Sequence, residues 1–516
     1  MKNPYEHDWL EDEVRLGRKT SGIATAGFLI FLLLPALSLL FPRYRPESVR
    51  KDLPDLKARL VSLEDLAKKL PLLEQWRKQD QVLATALFGE GNGKVHVGRE
   101  GWLYYRPDLE SIFGKGPYHV EPASVAREKA ERSWQAPVPV IKDFAAQLAK
   151  RNISLIFVPV PTKPMVCREG LGMTPGLAPP SAWEDVARDL SGAGIEFVDL
   201  LPLFTSRGSD EARFLKQDTH WTPETMEAVA HEVASRIASS RGSDRVPNRV
   251  ESVRRSHRGD LVGMLDLGER GAVLFPEESV TLRRFLDPAT GRPIGNDPNS
   301  NVVLLGDSFV NLYEDPELGF GEPGESMIGA GFASHFAHAL GHAAEVFAIN
   351  GGGATAVRET FASLSPERLA NVDTVVWVIS ARDLLLPELP ARRAGIEWRT
   401  VEIGRGAAPT APPAAVELTL TLRERSPIDD PALTPYASAV YSTLFEAEDG
   451  SERLVFFWAF RDRKLDPAAS LEPGRRYRLR LASLDSDAAA NRATRLDDLF
   501  RPDLTPWFAT SFQEVD

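Results

Sequence analysis

Apolar residues follow two alternating patterns through the middle of the chain. Short continuous apolar runs predict buried strands at 153–159, 195–200, 301–305, 345–349 and 374–379. Segments in which apolar residues recur every three or four positions predict helices at 140–150, 182–190, 223–239 and 328–340. Thr222 is a suitable N-cap for the helix that begins at Pro223. Buried strands that alternate with amphipathic helices indicate an α/β fold, in which helices cover both faces of a parallel sheet.

The pattern changes after residue 400. Residues 401–415 are rich in Gly, Pro and Ala, which is typical of a linker between domains. Beyond this linker, apolar and polar residues alternate over 416–422, 439–445, 453–460 and 476–481. Such alternation with short turns predicts a small β module at 416–516, which follows an α/β domain at 91–400.

A separate apolar stretch lies near the N-terminus. Residues 23–41 contain no charged side chain and are long enough to cross a bilayer, so they predict a transmembrane helix. The alternative is a cleaved signal peptide, but the long acidic segment 1–22 differs from a short basic leader. Leucines at helical spacing then predict a helical juxtamembrane segment at 42–90. Basic residues flank the apolar stretch on both sides, so charge alone does not orient the helix.

Composition narrows the possible classes of protein. A length of 516 residues favours two or three domains. The net charge of -12, without a long basic run, argues against nucleic acid as a partner, because phosphate binding requires clustered Lys and Arg. The single cysteine, Cys167, follows an apolar run and is interpreted as a packed hydrophobic residue. No Cys/His cluster predicts a zinc site, and no cofactor is predicted.

The strongest chemical signal is LLGDSFV at residues 304–310. A buried strand ends at Gly306 and is followed by Asp307 and Ser308 at the carboxyl edge of the predicted sheet. Ligands of parallel sheets bind beyond this edge. Because backbone N–H groups at the start of the next element can stabilise an oxyanion, Ser308 is the candidate nucleophile.

A second signal is QDTHWTP at residues 217–223. Residues two apart in an extended segment can face one cleft, so Asp218 and His220 can act together. His220 is the candidate base that accepts a serine proton, and Asp218 is the candidate acid that orients its ring. Asp-x-His is also compatible with a metal site, or with an Asp that only caps the following helix.

These two segments occur together with GREGWLYY at 98–105 and VPVPTKPMV at 158–166. With them, the chain resembles the SGNH-hydrolase-like family of alginate O-acetyltransferases of the AlgJ/AlgX type. Asp-x-His precedes the serine as in that family, whereas the serine comes first in ordinary GDSL esterases. The resemblance covers about residues 90–390 and leaves the linker and the β module outside.

The resemblance implies an SGNH-like sheet whose nucleophile, base and orienting acid are Ser308, His220 and Asp218. It implies a periplasmic catalytic domain anchored in the cytoplasmic membrane, with residues 1–22 in the cytoplasm. It also implies two partners, a membrane-bound O-acyltransferase that supplies acetyl groups and an exported polysaccharide whose hydroxyls accept them. An esterase that uses water, or a scaffold that binds polysaccharide without catalysis, are the alternatives.

Further candidates lie near the predicted sheet edge. The family's Asn of the oxyanion hole corresponds to Asn350, which is equally compatible with a helix cap in a Gly-rich turn. Arg382 corresponds to a family arginine that either binds substrate or only pairs with Asp383. Lys163 follows a strand end and is expected to reach the cleft.

Aromatic and histidine residues outside these motifs have simpler interpretations. Trp102, Tyr104 and Tyr105 can stack on sugars, but a core strand is the preferred interpretation. His335, His338 and His342 have a helical spacing that is compatible with a metal site, and a solvated helix face is preferred.

Overall fold

The structure is a computed structural model. It describes residues 71–114, 116–118, 135–173, 180–206, 212–237, 249–322, 325–387, 396–404, 415–428, 431, 436–497, 499, 501 and 504–515. The predicted tail at 1–22, the predicted membrane helix at 23–41 and most of the linker lie outside these residues. No helix of the described ranges is both long and apolar enough to cross a membrane. The chain divides into two compact units, Met1–Asp80 and Gln81–Asp516.

The secondary structure follows the α/β pattern and then the β pattern. The helices are α1 Pro71–Phe88, α2 Arg106–Phe113, α3 Pro137–Ala149, α4 Lys163–Val166, α5 Ser181–Gly192, α6 Leu201–Ser206, α7 Pro223–Ser235, α8 Asp260–Met264, α9 Gly271–Leu274, α10 Ser308–Asn311, α11 Phe332–Leu340, α12 Ala356–Ala362, α13 Pro366–Leu369, α14 Ala381–Leu385 and α15 Ala488–Arg492. The strands are β1 Val95–Val97, β2 Leu103–Tyr105, β3 Ser154–Val160, β4 Glu196–Phe197, β5 Arg249–His257, β6 Glu278–Leu286, β7 Val302–Gly306, β8 Glu345–Ala348, β9 Thr374–Ser380, β10 Val416–Arg425, β11 Ala439–Glu446, β12 Glu452–Arg461, β13 Lys464–Leu465, β14 Arg476–Ser483, β15 Thr494–Leu496 and β16 Pro506–Val515.

A parallel sheet forms the centre of the α/β domain, as the apolar runs predict. Its strands are ordered β4-β3-β9-β7-β8 in the described residues, and each pair is parallel. All five residues of β7 are buried, as are the last six of β9, because the strands are covered on both faces. The carboxyl ends of β7 and β9 lead directly into α10 and α14, so both helices start at the same edge of the sheet.

Several elements differ from the predicted ones. The strand predicted at 195–200 is reduced to β4, because the side chain of Asp199 accepts a hydrogen bond from the Leu201 backbone N–H, 3.0 Å away, where α6 begins. The helix predicted from 328 begins at Phe332, after Gly331 as its N-cap. The hairpin of β5 and β6 was not predicted, because charged residues such as Arg254, Arg255 and Arg283 interrupt the apolar positions of its strands. Thr222 is the N-cap of α7, as expected, and its hydroxyl accepts a hydrogen bond from the Thr225 backbone N–H.

The C-terminal region is a β module with its own core. The strands pair in the order β13-β12-β16-β14-β10-β11-β15, and β11 also pairs with β12, so the sheet closes on itself. The enclosed core is rich in aromatic and aliphatic side chains, among them Tyr441, Phe445 and Phe457. The prediction of a small β module is therefore confirmed, although the sequence pattern did not indicate β13, β15 or β16.

Candidate active site

The end of β7 brings Ser308 to the carboxyl edge of the sheet. Asp307 caps the short helix α10, and its side chain accepts hydrogen bonds from the backbone N–H groups of Phe309, at 2.9 Å, and Ser380, at 3.2 Å. A Cβ atom on Gly306 would lie 2.2 Å from Cγ2 of Val310, so the tight turn from β7 into α10 requires glycine there. Ser308 is thereby fixed at the first position of a helix, with 3% of its surface exposed.

Asp218, His220 and Ser308 form a continuous chain of hydrogen bonds. Nδ1 of His220 lies 2.6 Å from Oδ1 of Asp218, and its Nε2 lies 2.8 Å from Oγ of Ser308. The His220 ring is also held edge-on against Phe309, with the ring centres 4.8 Å apart. Asp218, His220 and Ser308 are all buried. The geometry allows Ser308 to donate its proton to Nε2 while Asp218 fixes the tautomer through Nδ1–H.

Electrostatics favour this arrangement. Burial lowers the pKa of His220, but the hydrogen bond from His220 to Asp218 and the charge of Asp218 outweigh burial, so the pKa of His220 lies above its ordinary value of 6.5. Burial likewise raises the pKa of Asp218, but the hydrogen bond and the charge of His220 bring it below its usual range. Asp218 therefore stays ionised and stabilises the imidazolium that forms when His220 accepts a proton.

A second carboxylate, Asp260, supports the loop that carries Asp218 and His220. The Asp260 backbone N–H donates to Oδ2 of Asp218, 3.0 Å away. Its carboxylate accepts from the backbone N–H of Thr219 at 2.9 Å and from the Thr219 hydroxyl at 2.5 Å. Burial, followed by the negative charge of Asp218, raises the pKa of Asp260 to about 6. Asp260 thus fixes both the backbone of the loop and the orientation of Asp218.

A metal ion is a poor fit for this cluster. Asp218, His220 and Asp260 form the one cluster of the described ranges whose ligand atoms lie close enough for an ion, within 4.8 Å of one another. Those atoms are already used by protein donors, because both oxygens of Asp218 and of Asp260 accept hydrogen bonds. The donor set therefore suits a hydrogen-bonded acid–base pair better than a metal centre.

A small cavity opens in front of Ser308, with about 30 Å³ accessible to a water molecule. It is lined by Ser308, His220, Tyr105, Arg382 and Tyr436, among other residues. The nucleophile and the base of the candidate triad therefore face a common cavity.

Arg382 belongs to the wall of this cavity and to a buried ion-pair network. Its Nη1 donates to Oδ1 of Asp108, 2.7 Å away, and its Nε lies 3.4 Å from Oδ1 of Asp383. The guanidinium also lies over the Tyr105 ring, 5.1 Å from its centre. Burial raises the pKa of Asp383 to about 7. Arg382 therefore pairs with Asp383 and also lines the cavity, and its contact with substrate stays a prediction.

Asn350 lies next to the cavity, and its neighbour Gly351 lines it. Oδ1 of Asn350 accepts a hydrogen bond from Nδ2 of Asn311 at 2.8 Å. Two residues of the β module hold its backbone. The Asn350 N–H donates to the Arg492 carbonyl, and the Thr494 hydroxyl donates to the Asn350 carbonyl, each at 2.9 Å. Asn350 thus lies at the junction of the α/β domain and the module, and its role as an oxyanion donor stays a prediction.

Tyr436 reaches the site from the segment between β10 and β11 of the β module. Its hydroxyl lies 3.4 Å from Oγ of Ser308. A Cβ atom on Gly351 would lie 2.7 Å from the Tyr436 ring, and the φ angle of Gly351 is 71°. Glycine at 351 therefore provides both the turn and the space that this aromatic ring occupies.

Three other expectations have clear outcomes. Lys163 does not reach the cleft, contrary to expectation: its Nζ is buried and donates to the Leu103 carbonyl at 2.8 Å, because this lysine follows β3 beneath the strand β2. Tyr104 belongs to a core strand, as preferred, and donates to the Cys167 carbonyl at 2.8 Å. Cys167 is a packed residue, and burial raises the pKa of its thiol to about 11.

The prediction that the histidines lie on a solvated face of α11 is wrong. His335 is 2% exposed and meets the Phe285 ring edge-on, with the ring centres 4.7 Å apart. Burial lowers its pKa to about 3, so its ring is neutral. The strand β6 covers this face of α11. Because the hairpin that contains β6 was not predicted, the helical spacing of the histidines alone suggested that this face was exposed. His342 lies beyond the end of α11.

Sequence reasoning missed Asp260, Asp108 and Tyr436. Asp260 and Asp108 are single acidic residues without a surrounding motif, and both are identified only by what they contact. Tyr436 lies 128 residues from Ser308 in the sequence. The GREGWLYY segment did carry a signal, because its last residue, Tyr105, lines the cavity.

The chain is similar to several known proteins. Residues 95–381, more than half of the chain, match the family of the SGNH hydrolase-like domain, acetyltransferase AlgX. The probable alginate O-acetylase AlgJ of Pseudomonas aeruginosa is 28% identical over 232 residues, which are 44% of this chain and 55% of the relative. The probable alginate O-acetylase AlgJ of Azotobacter vinelandii is 27% identical over 240 residues, 44% of this chain and 57% of the relative. The chain therefore spans about half the length of the curated relatives it matches.

Two solved structures are also similar. The O-acetyltransferase domain of Pseudomonas putida AlgJ has a TM-score of 0.41 at 20% identity, and the alignment covers 56% of this chain and 92% of that domain. Pseudomonas aeruginosa AlgX has a TM-score of 0.38 at 15% identity, with 72% of this chain and 84% of AlgX covered. The extent of the family match decides the assignment: this chain belongs to the family of SGNH hydrolase-like acetyltransferases of the AlgX type.

Proposed function

We propose that this protein transfers acetyl groups to hydroxyls of an exported polysaccharide, through a covalent acetyl-serine at Ser308. The observation that carries the proposal is the hydrogen-bonded chain from Asp218 through His220 to Ser308, with distances of 2.6 and 2.8 Å. Ser308 and His220 also line a cavity in which an acyl group can approach Oγ. Nucleophile, base and orienting acid are the groups that acyl transfer needs.

In the first half of the reaction, His220 takes the proton of Ser308 at Nε2 as Oγ attacks the acetyl carbonyl. A tetrahedral intermediate forms, and its oxyanion is near the Ser308 backbone N–H at the start of α10. The intermediate collapses when the donor's leaving group departs with the proton that His220 returns. The products are acetyl-Ser308 and a free donor carrier.

In the second half, a sugar hydroxyl gives its proton to Nε2 of His220 and attacks the acetyl carbonyl. Collapse of this second intermediate returns the proton to Oγ, so Ser308 is regenerated and the sugar carries an acetyl ester. Asp218 remains ionised throughout and stabilises the imidazolium in both halves. Both half-reactions take place at the cavity that Ser308 and His220 line.

The partners and the location follow from the relatives rather than from the geometry. AlgJ relatives are named as probable alginate O-acetylases, and this supports a polysaccharide acceptor for the present chain. We infer an acetyl supply through a membrane-bound O-acyltransferase, and a catalytic domain on the periplasmic side of the cytoplasmic membrane. The apolar stretch at 23–41 supports attachment to that membrane as a single-pass anchor. Arg382 and Asn350 remain the candidates for contacts with substrate or oxyanion.

The test is an acetyl-transfer assay on the purified protein. The protein is incubated with 4-nitrophenyl acetate, with and without a panel of oligosaccharides, and the mass of protein and sugars is followed. We expect acetylated sugars with wild-type protein and none with Ser308→Ala. Release of acetate only to water, regardless of the sugar present, contradicts the transferase proposal and favours an esterase. Unchanged sugar acetylation with Ser308→Ala excludes Ser308 as the nucleophile.

A further inference from the structure

The β module contributes a side chain to the reacting centre. Tyr436 lies in the segment between β10 and β11, and its hydroxyl is 3.4 Å from Oγ of Ser308. It lines the same cavity as His220 and Arg382. The contact between Tyr436 and Ser308 thus joins the nucleophile to a side chain from outside the α/β domain.

The module holds this tyrosine close to Ser308. The carbonyl of Ala437, the next residue, accepts a hydrogen bond from the Arg463 backbone N–H at 2.8 Å. On the other side, the ring packs against Gly351, where any side chain would collide with it. The position of the hydroxyl is therefore set by the module on one side and by the loop after β8 on the other.

The direction of the hydrogen bond follows from the other partner of Ser308. Oγ of Ser308 has one proton, which it donates to Nε2 of His220 in the acid–base arrangement described for the triad. The hydroxyl of Tyr436 is then the donor to Oγ, and Oγ accepts. Burial raises the pKa of Tyr436 well above its ordinary value, so the phenol keeps its proton over the working pH range. A neutral, fixed donor therefore faces Oγ, the atom that attacks the acetyl carbonyl.

We propose that Tyr436 is a catalytic residue, whose hydroxyl donates a hydrogen bond to the oxyanion formed when Ser308 attacks the acetyl carbonyl. The carbonyl oxygen lies two bonds from Oγ, so a donor already within 3.4 Å of Oγ reaches it with little movement. The proposal rests on acetyl transfer through Ser308. It assigns the β module a part in the chemistry, because the α/β domain does not contain this donor.

Tyr436 is better placed for this task than Asn350. The Tyr436 hydroxyl lies 3.4 Å from Oγ of Ser308 and lines the cavity. Asn350 lies outside the described lining of the cavity, where Gly351 takes its place. The side-chain donor that lines the cavity next to Ser308 therefore comes from the module.

The experiment compares Tyr436→Phe with the wild-type chain in a single-turnover reaction with 4-nitrophenyl acetate, measured as the rate of acetylation of Ser308. Loss of one oxyanion donor lowers such rates by about 10²–10³-fold. We expect a fall of that size in the maximal rate, with little change in the ester concentration that gives half of it. The pH midpoint of the rate should stay at the wild-type value, because His220 and Asp218 are untouched.

Tyr441→Phe is the matched control. Tyr441 is a buried tyrosine of the same module, and its hydroxyl donates to the Ala468 carbonyl instead of approaching Ser308. It should lower the melting temperature without lowering the acetylation rate. A normal rate in Tyr436→Phe, or an equal fall in both variants, overturns the role of Tyr436. If the wild-type Ser308 is never acetylated, acetyl transfer through Ser308 itself is refuted, which is a distinguishable result.

Discussion

The α/β domain and the β module contribute to the site in different ways. The α/β domain supplies the titrating groups: Ser308 follows β7 at the edge of the sheet, and the Asp218–His220 pair lies in the loop before α7. The β module supplies uncharged contacts from outside its strands, namely the Tyr436 hydroxyl between β10 and β11 and the Arg492 carbonyl at the end of α15. Acid–base chemistry thus belongs to one region, and the module contributes to the shape and polarity of the cavity.

The largest effect is expected where the acid–base chemistry of the α/β domain is removed. Asp218→Asn cannot stabilise the imidazolium and presents the wrong tautomer to Ser308, so the maximal rate should fall roughly 10⁴-fold.

The pH dependence of the rate should change as well in Asp218→Asn. Wild-type activity needs neutral His220 and should therefore fall as the pH drops below its raised pKa. Without Asp218, burial dominates, and the midpoint of the variant should move to lower pH. Stopped-flow acetylation across a pH series measures both effects.

Asp199→Asn is a control for this prediction. Asp199 is an aspartate of the same domain that caps α6, remote from the base. It should leave the midpoint of the pH profile unchanged. A midpoint for Asp218→Asn equal to or above the wild-type value would contradict the assignment of Asp218 as the partner of His220.

A smaller effect is expected at the junction of the two regions. Nε of Arg492, in the module, lies 3.1 Å from Oδ2 of Asp315 in the α/β domain. Asp315 is 3% exposed, so Arg492→Met leaves a buried carboxylate without its cation. The free energy of unfolding should fall by about 1–3 kcal/mol in a urea titration. The double variant Arg492→Met/Asp315→Asn should recover part of the loss.

An exposed ion pair of the module is the comparison. Arg423 and Glu446 pair on the surface, with 51% and 33% of their side chains exposed. Arg423→Met should change the free energy of unfolding by at most about 1 kcal/mol. Equal losses in Arg492→Met and Arg423→Met would mean that the buried pair does not join the two regions.

The smallest effect is expected at Asp260. Its negative charge raises the pKa of His220, and its own pKa is about 6, so it is ionised at the His220 midpoint. Asp260→Asn keeps the backbone N–H that binds Asp218 but removes this charge. The midpoint of the pH profile should move to lower pH, by less than in Asp218→Asn, because Asp218 raises the pKa of His220 more than Asp260 does. A shift to higher pH would contradict the sign of this interaction.

The sequence predicts the parts of this molecule that depend on local patterns. The strands of the parallel sheet, the Thr222 cap and the Asp218, His220 and Ser308 motifs all depend on neighbouring residues. Gly306 followed by Asp307 and Ser308 indicates a turn at a strand end by itself. These short-range signals were sufficient for the α/β fold and for the candidate nucleophile and base.

The remaining parts of the site depend on contacts between distant residues. The partners of Arg382 and Ser308 that were missed, Asp108 and Tyr436, lie 274 and 128 residues away in the chain. Neither residue lies in a recognisable motif, because a single aspartate or tyrosine in a sequence does not indicate what it contacts. Lys163 and His335 were misplaced for the same reason, since β2 and β6 bury them and no local pattern predicts which strands cover them.

The most direct test of the account is a crystal structure of the protein after reaction with a methylphosphonate ester, which leaves a tetrahedral, negatively charged adduct on a nucleophilic serine. We predict the adduct on Oγ of Ser308, with one phosphonyl oxygen within hydrogen-bond distance of the Tyr436 hydroxyl and with His220 still bound to Asp218. An adduct on another residue would contradict the assignment of the nucleophile. An adduct on Ser308 with Tyr436 turned away would contradict the contribution of the β module to the chemistry.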